Sequence, residues 1–237
     1  MMHVMRAVRA SRPWQVVVAT LLPALIQAGL YALVGAVNAR RVMHDDALLR
    51  VESSWFGDPS HAWARQWPDT AVSTVLHACY LAYYAILLVP YARLALRQEM
   101  SAWRVTFRAH MITLLIGVVI FLLWPVEGPR FRAPIGSDVL PDAAHRVTNT
   151  LLATFSARGT AFPSSHVSIA VAHLLVAWST QRALALVMAP VVLGLAIGAV
   201  YGGFHYLSDV LAGALLGGLC VLLSRRISPG AAARAAP

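Results

Sequence analysis

The chain has 237 residues, 59% of them hydrophobic and 12% charged, with a formal net charge of +9. A soluble domain carries about 25% charged residues, so the composition excludes an ordinary soluble protein and points to repeated membrane crossing. The positive charge does not mark a nucleic-acid binder, because the arginines are scattered over short loops, as in membrane proteins with basic cytoplasmic loops.

Apolar runs near the roughly 20 residues that cross a bilayer predict six spans, at 14–37, 72–96, 106–124, 164–181, 183–200 and 206–223. The expected fold is all-α, a six-helix membrane bundle forming one domain over 1–230, with an Ala-rich, disordered tail at 231–237. More spans follow the first, which therefore reads as a membrane helix and not as a signal peptide. Pro23, Pro90 and Pro190 fall inside spans and are expected to kink them. Cys79 and Cys220 also fall inside spans and form no motif, so both read as buried thiols. Between the first two spans, Trp55, Phe56, Trp63 and Trp67 lie among polar residues. An interfacial helix and an ordinary loop with aromatic anchors both fit that segment.

Basic residues orient the bundle. Arg6, Arg9 and Arg12 precede span one, and Arg93, Arg97, Arg104 and Arg108 against Glu99 follow span two. Arg182 follows span four, and Arg225, Arg226 and Arg234 close the chain. Six spans put all of these on one side, which the positive-inside rule makes the cytoplasm. The site-bearing loops then face outward, at a bacterial inner membrane facing the periplasm.

Two segments carry the chemistry, Phe162-Pro163-Ser164-Ser165-His166 and His205-Tyr206-Leu207-Ser208-Asp209. Intramembrane histidine and aspartate are costly and usually functional. A spacing of four on a helix puts His205 and Asp209 on one face, where the carboxylate can fix the tautomer of the imidazole. Alone, that pair equally fits a structural hydrogen bond or, less well, a metal site. Pro163 and Ser164 begin a helix whose free N–H groups form an anion site, with the Ser164 and Ser165 hydroxyls as further donors. His166 stands beside it, placed to protonate a leaving oxygen. Gly128-Pro129-Arg130-Phe131-Arg132 supplies positive charge, Arg130 being the leading phosphate ligand with Arg132 and Arg158 behind it, and Glu127 is expected to pair with an arginine.

In order and content these motifs resemble the type 2 phosphatidic acid phosphatase superfamily, integral membrane lipid phosphatases and phosphotransferases related in core fold to vanadium haloperoxidases. The resemblance covers 125–213 by motif and all six spans by layout. It implies that His205 is the nucleophile, Asp209 its orienting acid and His166 the general acid. It also implies a lipid phosphate substrate, no cofactor and no metal, and it leaves the oligomeric state open. All three motifs depart from the family pattern. Ser165 stands where the second motif has glycine, and Gly198-Ala199 stand where the third has Ser-Arg. The first motif's lysine would fall at Leu123 or Pro125. A Gly-Pro-Arg first motif with an arginine-poor third motif also resembles the branch of inositol phosphorylceramide and sphingomyelin synthases. Phosphatase is therefore the leading expectation and phosphotransferase the alternative, ahead of a transporter using the same groups as a proton relay and of an inactive scaffold.

Overall fold

The computed structural model describes residues 12–132 and 134–227; Arg6, Arg9, Arg234 and the tail 231–237 lie outside them. Eleven helices run in order: α1 (Pro13–Asn38), α2 (Asp45–Phe56), α3 (Pro59–Gln66), α4 (Thr70–Leu81), α5 (Tyr83–Leu96), α6 (Met100–Leu123), α7 (Pro129–Arg132), α8 (Ala143–Phe155), α9 (Ser165–Thr180), α10 (Arg182–Tyr201) and α11 (Leu207–Ile227). Among the described residues there is no strand, only a parallel bridge between Val126 and Thr160.

Four helices, α1, α6, α10 and α11, are long and apolar enough to cross a membrane. The second expected span is broken: α4 and α5 meet at 41°, and only as a pair are they long and apolar enough to cross. The break lies at Ala82, about two turns before Pro90. The fourth expected span, α9, is a largely apolar helix of 16 residues, about 24 Å long. It is central: α5, α6, α10 and α11 all pack on it, and nine of its residues are buried. In contrast, α1 lies at the periphery against α5 and α6 and leaves Leu21, Leu25, Leu33 and Val37 exposed, as a lipid-facing helix should. The Trp-bearing segment forms two short helices, α2 and α3, with Trp55 and Trp67 exposed.

Proline removes an intrahelical hydrogen bond and strips a carbonyl one turn back. In hydrocarbon that carbonyl needs a substitute donor. Pro90 frees the Ile86 carbonyl, which accepts from His173 Nδ1 at 3.0 Å. Pro23 frees the Ala19 carbonyl, which accepts from Trp103 Nε1 at 3.1 Å. Two side chains, buried His173 and partly buried Trp103, thus repair the backbone of their neighbours, and in doing so pin α9 to α5 and α6 to α1.

Helix contacts in a membrane depend on close packing, since lipid is as apolar as the side chains. Glycine supplies that closeness here. A Cβ on Gly213 would stand 2.5 Å from the Ser164 carbonyl oxygen, and one on Gly217 would collide with that of Ser168. One turn apart on α11, these two glycines let it lie directly on the α9 backbone. Gly198 does the same for α10 against α4, where a Cβ would stand 2.6 Å from the Leu76 carbonyl.

Candidate active site

The start of α9, the turn into α11 and the loop after α6 meet at one end of the bundle. Ser164 caps α9, its Oγ accepting from the Val167 N–H at 3.5 Å. Its own N–H donates to the Asp209 carbonyl at 2.9 Å. That amide is therefore committed to joining the two motifs and is not open to a ligand, contrary to its expected anion-binding part. Among the described residues, the N–H groups of Ser165 and His166 make no hydrogen bond. They remain as the open donors of this helix start. The Ser165 side chain lines a narrow crevice with Tyr31, Gly117, Phe121 and Leu216, between α9 and α1, α6 and α11.

His205 lies in the turn before α11, which begins only at Leu207. The His–Asp pair is thus formed across a helix entrance and not along a helix face, as the spacing alone suggests. The turn is tight: the Phe204 and His205 N–H groups both donate to the Ala199 carbonyl at 3.0 Å. Gly203 takes φ of 66°, which disfavours a side chain, and a Cβ there would also press on Ile135. His205 Nδ1 is 3.3 Å from Asp209 Oδ2, which also accepts from the Tyr206 N–H at 2.9 Å. Asp209 is fully buried, and its Oδ1 has no partner. The His205 ring also lies against the Ala161 carbonyl.

His166 faces His205, with ring centroids 6.1 Å apart. It sits between two tyrosines, stacked on Tyr80 at 5.0 Å and tilted against Tyr83 at 4.4 Å. Its Nδ1 is buried without a partner. Sequence reasoning missed both tyrosines; the signal was a Tyr-x-x-Tyr pair placing two phenols on one face of the second span.

The loop after α6 is docked onto both motifs. Val126 accepts from the Ala161 N–H at 2.8 Å. Gly128, at φ of 94°, approaches so closely that a Cβ would stand 3.0 Å from the Phe204 carbonyl. Arg130 follows, its guanidinium 4.4 Å above the Phe131 ring. Burial first, and then the positive charge of Arg130, lower the His205 imidazole to about 3, so it is neutral at physiological pH.

The other candidate cations are engaged. Arg132 pairs with Asp46, and Arg158 pairs with Glu127 at 2.7 Å while donating to the Ala39 carbonyl. Of the three arginines, Arg130 alone has no ion-pair partner among the described residues. The expected pairing of Glu127 with an arginine is thus present, made by Arg158. Ala199 is fully buried in the main apolar cluster, with Leu195, Val200 and Phe204.

Two acids that sequence reasoning passed over support the site from α2. Asp45 accepts from the Glu127 and Gly128 N–H groups, and Glu52 from those of Leu207 and Ser208. A seven-residue spacing, two helical turns, was the available signal.

The family model described as the PAP2 superfamily matches residues 46–223. No curated protein and no solved structure matches the chain. The matched stretch includes the arginine loop, both histidine motifs and the helices that carry them, so the chain belongs to the PAP2 superfamily, as a multi-pass integral membrane protein of phosphatase type.

Proposed function

We propose that the protein is a membrane-embedded lipid phosphatase that hydrolyses a phosphate monoester or diphosphate of a lipid through a phosphohistidine. The observation that carries this reading is the placement of His205, held by Asp209, opposite His166, with Arg130 nearby and unpaired. One phosphoryl group can bridge the two rings. With Nδ1 directed to Asp209, the other ring nitrogen of His205 attacks phosphorus as the bond to the leaving oxygen breaks. His166 donates a proton to that oxygen. Water then attacks the phosphohistidine, giving its proton to His166 and releasing inorganic phosphate and neutral His205. Arg130 and the Ser165 and His166 amides stabilise the charge on the phosphoryl oxygens.

The same reading takes α9 as a sixth crossing supported by its neighbours, so that 1–230 forms one domain with both ends cytoplasmic. The site then opens outward, to the periplasm of a bacterial inner membrane. The even balance of charges at the α2–α3 end against the arginines at the other supports this orientation.

A second reading is a phosphotransferase that passes a phosphoryl-headgroup unit, such as phosphoinositol, to an alcohol. It is favoured by Gly198-Ala199, which place apolar packing where the family pattern has Ser-Arg. Both readings share the first half-reaction. The test is release of inorganic phosphate by purified protein from phosphatidic acid, phosphatidylglycerol phosphate and a polyprenyl diphosphate, without added alcohol. Hydrolysis should fall at least about a thousandfold in His205→Ala. Full activity in that variant overturns both readings, and turnover only when an alcohol is supplied selects the second.

A further inference from the structure

Four backbone amides in two separate segments of the site are held by one helix that carries neither histidine motif. Asp45 Oδ2 accepts from the Glu127 N–H at 3.0 Å, and Asp45 Oδ1 from the Gly128 N–H at 2.8 Å. Seven residues on, Glu52 Oε1 accepts from the Leu207 N–H at 2.7 Å. Glu52 Oε2 accepts from the Ser208 N–H at 3.1 Å and the Ser208 hydroxyl at 2.9 Å. The two carboxylates lie on one face of α2, buried to 1% and 0% exposure. A buried carboxylate is costly unless its oxygens are satisfied. Here all four oxygens are bonded, so the burial is compensated by ordering the site's backbone.

The two grips differ in what they hold. Asp45 holds the residues just before Pro129 and Arg130, hence the phosphate-binding arginine. Glu52 caps the first turn of α11, between His205 and Asp209, hence the nucleophile and its orienting acid. The cap also takes the N–H groups that would otherwise offer a second anion site at the α11 start. Negative charge at that helix end is favourable in itself.

Resting on the phosphohistidine reading, we infer that Asp45 and Glu52 are positioning residues, and that α2 is a strap setting the Arg130 loop and the His205 turn at their working separation. Neither carboxylate touches substrate; each acts through the segment it binds.

The strap predicts a split that general loosening would not produce. Asp45→Ala should raise KM about tenfold and lower kcat as well, since Arg130 holds both the bound and the developing phosphoryl charge, while Glu52→Ala should lower kcat about tenfold or more with little change in KM. Phosphate release from the best-cleaved lipid phosphate of the screen reads both. Hydrogen exchange on the detergent-solubilised protein gives a readout independent of turnover. Exchange should quicken about tenfold or more in 126–132 for Asp45→Ala and in 204–210 for Glu52→Ala. Asp45→Asn and Glu52→Gln each keep one accepting oxygen, should show intermediate effects, and serve if an alanine variant does not fold. Equal changes of KM and kcat in both variants, or exchange unchanged in the gripped segment, overturn the inference. Full activity of His205→Ala overturns the phosphohistidine reading instead, and the exchange pattern still decides whether α2 is a strap.

Discussion

At the scale of single residues, charge pairing separates the three candidate arginines, of which motif position already favoured Arg130. Arg132 and Arg158 are spent on Asp46 and Glu127, and exposed ion pairs of this kind contribute little, typically up to about 1 kcal/mol. Arg130 lies partly buried against Phe131, near enough for its charge to lower the pKa of His205. Removing it should leave the developing phosphoryl charge without its cation, at a loss of about a hundredfold or more in kcat/KM. Arg132→Ala and Arg158→Ala should each stay within about fivefold, since their charges are already neutralised. Measuring kcat/KM for the three variants on one lipid phosphate checks the ranking; equal losses would show a shared clamp. The absent family arginine belongs to the same scale. Ala199 occupies a fully buried apolar position, and the carbonyl beneath it holds the His205 turn, so its part is now packing and backbone support.

Among the elements, the contact between α9 and α11 decides the geometry of the chemistry. It carries the Ser164 N–H to Asp209 carbonyl bond and presses Gly213 and Gly217 onto the α9 backbone. A methyl group at Gly217 must push the helices apart, because it meets a carbonyl that cannot rotate away. Gly217→Ala should therefore cost about 1–3 kcal/mol of stability and widen the His166–His205 gap, lowering turnover. Gly218→Ala is the matched control, since a Cβ there meets nothing within 4 Å. Thermal melting and phosphate release on the two variants check this; equal behaviour would show that α11 is not held by the glycine contact. The broken second span is also an element-scale result. Pro90 marked it as irregular, yet the helix continues through Pro90, because His173 supplies a donor to the Ile86 carbonyl that Pro90 strips.

For the whole molecule, the central question is which end faces which compartment. Exposed Ser54 on α2 and exposed Ser101 at the start of α6 lie at opposite ends in the proposed orientation. In a background with Cys79 and Cys220 replaced, Ser54→Cys should react with a membrane-impermeant maleimide added to intact cells. Ser101→Cys should react only after the membrane is opened. The reverse pattern would place the site in the cytoplasm and invert the proposed topology.

Much of this protein follows from local chemistry. Apolar runs produce helices wherever they occur, because a membrane leaves no other partner for backbone groups. The Pro-Ser helix start and the Asp209 partner of His205 are short-range features, legible from spacings of a few residues. So is the family, since its motifs are continuous segments. Motif position put Arg130 ahead of Arg132 and Arg158, but it could not show the distant partners on which such groups depend. The three arginines differ in pairing through Asp46 and Glu127 across the fold, and the Ser164 amide is taken by a carbonyl 45 residues away. Asp45 and Glu52 looked like outer-loop acids until folding brought them under two active-site segments. By itself, then, the sequence determined the apolar helices and the family, and it named the candidate chemical groups. Only the tertiary structure decided which cation is free, which amides are open and what holds the two halves together, because unpaired charge and satisfied hydrogen bonds are properties of neighbours and not of residues.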